Sequence, residues 1–369
     1  MLILLILCGA VSAIACALLL RYGRSNGRRY SMSMPQRFHA GHVPRLGGVA
    51  MMAACTVGWA WIVVAEPFLS VPNKINLSPR LALAWWAVAL VAVIGGVAED
   101  LTHRLTARWR LAFTVAAGLL ATWVLGLYIP GVGIPAVQSL WAATPWPGIA
   151  LAIFAVAGLP HAFNLIDGYN GLAGIVALIC CLALAYVSLL AGDRQLAGVV
   201  LVLAGATAGF LLWNYPRGLI FAGDGGAYLW GVIIAVACVQ LVQRYARVSP
   251  WFPVLLLIYP VWETFFSIYR KLARGQSPGV ADALHFHQLI YRRIVRGVFD
   301  DDNEARRMLM RNNRTSPYLW GFTVLTVIPA VLFWSNTPVL MAFTALFVVS
   351  YVWAYVSIVR FKVPSWLRR

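Results

Sequence analysis

Four polar stretches in an otherwise apolar sequence hold the side chains that could do chemistry. The longest, Asn164-Leu165-Ile166-Asp167-Gly168-Tyr169-Asn170-Gly171-Leu172-Ala173-Gly174, packs two amides, one carboxylate and three glycines into eleven residues. Asn164, Asp167 and Asn170 recur three residues apart, so a helical turn would place them on one face, able to bind a polar ring such as a nucleobase. A glycine-turned helix start accounts for the same pattern equally well. The second stretch, Gly95-Gly96-Val97-Ala98-Glu99-Asp100, ends in adjacent carboxylates. Such a pair repels unless a cation intervenes, and its hard oxygens suit Mg²⁺; the plainer reading is an acidic helix end balanced by Arg104, Arg108 and Arg110. In the third, Phe221-Ala222-Gly223-Asp224-Gly225-Gly226, glycine on both sides of Asp224 allows close approach of a ligand or metal, unless the carboxylate is an ordinary N-cap. The fourth sets His285 and His287 near Arg292 and Arg293. Imidazole donors and bidentate guanidinium contacts could hold a diphosphate; the alternative is an amphipathic helix resting on anionic headgroups.

The elements that must position these groups are membrane helices. The chain has 369 residues, 61% hydrophobic and only 11% charged, against about 25% charged in soluble domains. An all-α, polytopic integral membrane protein follows. The net charge of +17 does not indicate nucleic acid, because the Lys and Arg collect in loops, as membrane topology requires. Residues 2 to 20 form a first apolar span with no basic residue ahead of it, read as a retained helix rather than a cleaved signal. Further spans begin near Gly47, Leu81, Leu111, Gly148, Leu172, Leu196, Leu219, Pro250, Tyr318 and Pro338, for about eleven in all. Of the 29 Lys and Arg, this topology puts 24 on one side and 5 on the other. The positive-inside rule then places the N-terminus outside and the C-terminus, with Arg360, Lys362, Arg368 and Arg369, in the cytoplasm. Glu99, Asp100, Asp167, Asp224 and Asp282 land on the cytoplasmic side, Glu66 and Asp193 outside, and Glu263 within a span.

Asp167 belongs in a surface loop, since a carboxylate at the bilayer centre costs roughly 2.5 to 3.5 kcal/mol. The six cysteines all fall in apolar runs without a CxxC pair and read as small packing residues. Neither a repeat nor a low-complexity linker divides the chain, so residues 1–369 read as a single transmembrane catalytic domain. Its one excursion is a charged cytoplasmic loop at about 272–316, with a helix from Ala281 to about Val298.

In order and spacing these motifs resemble the polyprenyl-phosphate N-acetylhexosamine-1-phosphate transferases, the MraY/WecA-like family of integral membrane enzymes. The resemblance begins at Arg37-Phe38-His39-Ala40-Gly41-His42-Val43-Pro44-Arg45-Leu46-Gly47-Gly48, similar to the family's segment leading into a Pro-Arg-x-Gly-Gly turn, and runs through all four stretches. It implies transfer of a sugar-1-phosphate from a UDP-HexNAc, UDP-GlcNAc first, to undecaprenyl phosphate in the lipid bilayer, releasing UMP. It further implies Mg²⁺, with Mn²⁺ as a substitute, on the cytoplasmic face of a bacterial inner membrane. By the same resemblance Glu99 and Asp100 occupy the acidic-pair positions and Asp224 that of a metal ligand. Asn164 and Asp167 match the nucleotide-binding stretch, and His285 and His287 the loop that holds the donor phosphates; Asn170 and Arg45 fall within matched segments. Arg292 and Arg293 are added on physical grounds. The chain departs from the family in Glu99 where Asp is usual, Gln288 where a further His is common, and His42 where Pro is common. A branch serving O-antigen, capsule or related surface polysaccharides is favoured over the peptidoglycan-precursor branch, with a homodimer left open. A transporter would carry its polar groups near the bilayer midplane, whereas these acids cluster at helix ends; a non-catalytic scaffold is the third class.

Overall fold

Among the described residues, Asp100, Asn164, Asp167, Asp224 and His285 stand at a helix end or an adjoining turn. The computed structural model describes residues 1–22, 43–69, 75–277, 284–295 and 302–360. His39 and His42, Asp282 and the C-terminal Lys362, Arg368 and Arg369 lie outside the described residues. In chain order the helices are α1 (Leu2–Tyr22), α2 (Gly47–Leu69), α3 (Pro79–Thr102), α4 (Ala107–Leu125), the short α5 (Gln138–Ala143), α6 (Trp146–Ile166), α7 (Leu172–Ala191), α8 (Arg194–Asn214), α9 (Gly223–Arg244), α10 (Trp251–Leu256), α11 (Ile258–Leu272), α12 (Phe286–Ile290), α13 (Glu304–Leu332) and α14 (Thr337–Val359).

Nine helices among the described residues are long and apolar enough to cross a membrane. Each of the eleven expected spans coincides with helix, but two do not qualify. The fourth, α4, opens on Arg108 and Arg110, and the span expected from Pro250 is broken at Leu257 into α10 and α11. Large apolar side chains such as Leu2, Ile6, Trp123, Phe154, Leu325 and Trp353 face outward, the arrangement expected of helices against lipid tails. All six cysteines are free and buried, as their packing role requires.

The bundle closes around α9, which is buried from Gly223 to Val242 and packs against α2, α3 and α6. Small residues make this approach possible, because without a hydrophobic drive in lipid, helices associate through close backbone contact. A Cβ on Gly96 would stand 2.4 Å from the Gly225 nitrogen, and one on Gly48 would stand 2.3 Å from the Gly226 nitrogen. Residues 44–48 also pair with the segment before α9: Phe221 N–H donates to Pro44 O (2.9 Å), Gly47 N–H to Phe221 O (2.9 Å) and Gly48 N–H to Ala222 O (2.9 Å). These glycine contacts fix where Asp100 and Asp224 stand.

Two expectations change in the second half. The charged excursion is partly helical: Asn303 caps α13 by accepting from Arg306 N–H at 3.1 Å, and the helix runs 29 residues from Glu304 into the apolar span. Of the helix expected from Ala281 to about Val298, the described residues 284–295 form the five-residue α12 and a π turn at Tyr291–Val295, with His285 as N-cap; both ends of the expected range lie outside the described residues.

Candidate active site

Asp100 and Asp224 meet at the start of α9. Asp100 Oδ1 accepts from Asp224 N–H (3.0 Å) and its Oδ2 from Gly225 N–H (3.0 Å), so a carboxylate from α3 caps α9 and sits at the positive end of its dipole. Gly223 holds φ at +71°, and a Cβ there would collide with the Asp100 carboxylate. Arg45 bridges the two acids, donating from Nε to Asp100 (3.0 Å) and from Nη2 to Asp224 (3.0 Å). Arg110 Nη1 reaches the other Asp224 oxygen at 3.2 Å, and Asn164 Nδ2 donates to Asp224 Oδ1 at 2.9 Å. The result is a desolvated acid pair, each carboxylate held by charge-assisted hydrogen bonds.

Glu99 does not join them. Its Oε2 accepts from Leu105 N–H at 2.9 Å, closing the turn after α3. Adjacent positions on a helix point about 100° apart, so one acid of the pair turns inward and the other toward the loop.

Asp167 follows the last residue of α6 and stands in the turn between α6 and α7, the surface loop expected for it. Burial pushes its carboxyl up to about 7; Arg45 pulls the other way, while Asp224 and Asp100 push it further up. The expected single face for Asn164, Asp167 and Asn170 does not form, because α6 ends and Gly171, at φ +68°, redirects the chain into α7. Asn170 faces α13: its N–H donates to Asn312 Oδ1 (2.8 Å), its Nδ2 to Asn313 Oδ1 (3.0 Å) and Pro216 O (3.2 Å). Asn170 is thus a staple for the turn, while Asn164 and Asp167 remain at the acid cluster.

A raised carboxyl pKa sets the sign of a pH effect. Between the ordinary carboxyl value of 3.8 and about 7 the folded state keeps a proton that the unfolded state has lost, so stability falls as pH rises through that window. Asp167→Asn carries no such dependence. In cation-free detergent solution its melting temperature is expected to exceed that of the parent by more at about pH 8 than at about pH 5; a constant difference would contradict the assignment.

The histidine loop lies at the same end of the bundle. His285 Nδ1 is 3.1 Å from Glu263 Oε1, and the His285 and His287 rings stack at 5.4 Å. His287 packs edge-on against Tyr169 at 5.5 Å, and a Cβ on Gly168 would stand 3.2 Å from His287 Nε2. Glycine at 168 therefore lets the histidine loop approach the Asp167 turn. Gln288 Oε1 accepts from His285 N–H at 3.4 Å, so the residue replacing a third histidine braces the loop. Tyr291 stacks on Tyr169, and Arg292 lies near enough to pull down a Tyr169 phenol that burial pushes well above 10. Arg293 turns away, donating to Ile358 O (3.4 Å) and Val359 O (3.2 Å) at the end of α14.

Three members of the cluster were not singled out from sequence. Arg110 stood among the balancing arginines. His161 lies one turn before Asn164, with Nε2 3.1 Å from Thr114 Oγ1, and packs edge-on against Tyr228, one turn after Asp224. Glu263, as a lone acid in an apolar span, carried its own signal.

Among the described residues no three His, Cys, Asp or Glu side chains form a group that could hold a metal by themselves. Mg²⁺ asks for less: one or two carboxylates plus substrate phosphates and water. Asp100 and Asp224, bridged by one guanidinium at 3.0 Å to each, are a hard-oxygen pair that meets this requirement.

Residues 82–242 match the family described as Glycosyl transferase family 4, a segment that holds the acid pair, the Asn164–Gly174 stretch and Asp224 but not the histidine loop. The chain is 25% identical to a probable undecaprenyl-phosphate N-acetylglucosaminyl 1-phosphate transferase of Bacillus subtilis, over 68% of this chain and 66% of the relative. It is 29% identical to a decaprenyl-phosphate N-acetylglucosaminephosphotransferase of Mycolicibacterium smegmatis, over 68% and 65%. Against an undecaprenyl-phosphate alpha-N-acetylglucosaminyl 1-phosphate transferase of Yersinia pestis the identity is 26%, over 69% and 67%. The match thus spans about two thirds of each relative's length.

Proposed function

We propose that this chain, whose residues 82–242 match the family described as Glycosyl transferase family 4, transfers N-acetylglucosamine 1-phosphate from UDP-GlcNAc to undecaprenyl phosphate. The products are a lipid-linked pyrophosphoryl sugar and UMP. The observation that carries this reading is the Asp100–Arg45–Asp224–Arg110 cluster, set at a helix end beside the His285–His287 loop. The activities for which the relatives are named, all polyprenyl-phosphate sugar phosphotransfers, support the same reaction. We assign the site to the cytoplasmic face of the bacterial inner membrane, initiating a surface polysaccharide such as O-antigen or capsule.

The chemistry suits the residues. One pyrophosphate linkage breaks as another forms, so no second energy source is needed, and the principal barrier is bringing two polyanions together. Arg45 and Arg110 supply positive charge beside the acid pair, and His285 and His287 offer ring donors to the donor's diphosphate. Asn164 and Asp167 stand at the turn where a uracil ring would be read. Asp100 and Asp224 would hold Mg²⁺, which when bound supplies charge neutralisation at the transferring phosphoryl group. Asp100, by capping α9, also fixes Asp224.

Purified protein in undecaprenyl-phosphate vesicles, offered a panel of radiolabelled UDP-HexNAc donors with and without Mg²⁺, tests the reading. Label entering the lipid fraction from UDP-GlcNAc only when Mg²⁺ is present is expected. Transfer from a different HexNAc would replace the sugar assignment. No transfer from any donor, beside an active control enzyme, would overturn the function.

A further inference from the structure

Glu263 is wholly buried in α11, where an unpaired carboxylate is not tolerated. Its partners explain its presence. Oε1 accepts from His285 Nδ1 (3.1 Å) and from Phe286 N–H (3.2 Å), while Oε2 accepts from the hydroxyl of Tyr351 on α14. Arg270, two turns further along α11, makes a parallel set of contacts. Its Nη1 donates to Leu284 O and to Tyr355 Oη, the latter at 2.6 Å. The start of the histidine loop is therefore clamped between α11 and α14 at two levels, and the upper level grips a histidine ring by one chosen nitrogen.

We propose that Glu263 is the positioning residue of the histidine loop, holding His285 by Nδ1–H so that Nε2 is the nitrogen presented to ligand, a donor to phosphate once the ring takes up its second proton. An ionised carboxylate has no proton to donate, so the 3.1 Å contact requires the hydrogen on Nδ1. The second bond, to Phe286 N–H, fixes the backbone beside the ring and so sets its direction as well as its tautomer. A metal-bound or catalytic histidine oriented by a carboxylate on its other nitrogen uses the same device. In this chain the device is built into α11, which accounts for a wholly buried acid in that helix.

The primary test is the ¹⁵N spectrum of the imidazoles in the full-length protein in detergent, with His285 assigned by its disappearance in His285→Gln. A protonated Nδ1 is expected in the parent; an unprotonated Nδ1 would overturn the proposal, whatever the enzyme's activity. Glu263→Met, which keeps side-chain volume, is expected to release the ring into a mixture of tautomers, whereas Glu263→Gln, whose amide oxygen can still accept, keeps Nδ1 protonated. An unchanged His285 signal in Glu263→Met would also overturn it. The kinetic arm alone rests on the proposed donor. Glu263→Met should raise KM for UDP-GlcNAc about tenfold, with the greater part recovered in Glu263→Gln, and should add nothing in a His285→Gln background. Losses that multiply in the double variant would make the two residues independent. If no donor is turned over, the transferase reading falls while the tautomer result still decides the role of Glu263.

Discussion

Asp224→Asn is expected to lower sugar-phosphate transfer by roughly 10²- to 10³-fold, the loss seen when one preorganised electrostatic contact is removed from a transition state, while the amount of folded protein stays unchanged. The substitution keeps volume, and the amide oxygen can still accept from Asn164 Nδ2, now 2.9 Å from Oδ1. What disappears is the negative charge between Arg45 and Arg110, each paired to Asp224 at 3.0 and 3.2 Å. Both arginines are partly exposed, so water screens the change and the fold tolerates it. Initial rates of lipid labelling, normalised to the monodisperse peak on size-exclusion chromatography, measure the effect. Full activity in the variant would remove Asp224 from the site.

Gly96→Ala is expected to cost about 1 to 3 kcal/mol of stability by overpacking and roughly 10²-fold in turnover, as a misplacement of about 1 Å at a reacting centre can. The added methyl would meet Gly225 N at 2.4 Å and the Asp224 carbonyl carbon at 2.5 Å, and backbone cannot rotate away as a side chain can. Relief requires α3 and α9 to part, which breaks the two bonds from the start of α9 to Asp100. Gly158→Ala is the control, since a Cβ there meets nothing within 4 Å. Thermal unfolding and transfer rates for both variants decide the matter: parent-like behaviour of Gly96→Ala would mean the helices are not in backbone contact.

The membrane class and the helix positions were legible in the sequence because hydropathy acts locally, over one helix length at a time. So was the shared end of the bundle for Asp100, Asp167, Asp224 and His285: alternating spans return every second loop to the same side. Side-chain direction was less legible. Glu99 and Asp100 are neighbours in sequence, yet one closes a turn and the other caps a distant helix, because only contact with α9 distinguishes them. Asn170 followed the helical spacing of Asn164 and Asp167, but the glycine at 171 ended that period and gave its amide to α13. Arg293 and Arg292 looked equivalent until the π turn sent one toward α14. His161 and Tyr228 share a face with Asn164 and Asp224, and a helix-face reading of those motifs would have found them; Arg110 stands on α4, away from every recognised motif, and only contact with Asp224 identifies it. Glu263 was visible as an anomaly, but its partners lie 22 and 88 positions away in sequence, beyond any local pattern.

The most direct measurement follows the phosphorus. UDP-GlcNAc labelled with ³²P at the β position and ³H in the sugar, incubated with purified protein, Mg²⁺ and undecaprenyl phosphate, should deliver both labels to the organic phase in equal amounts, with one UMP released per transfer. If ³H alone reaches the lipid and the ³²P stays in water as UDP, the enzyme moves a sugar rather than a sugar phosphate, which contradicts a site built to join two polyanions through phosphorus.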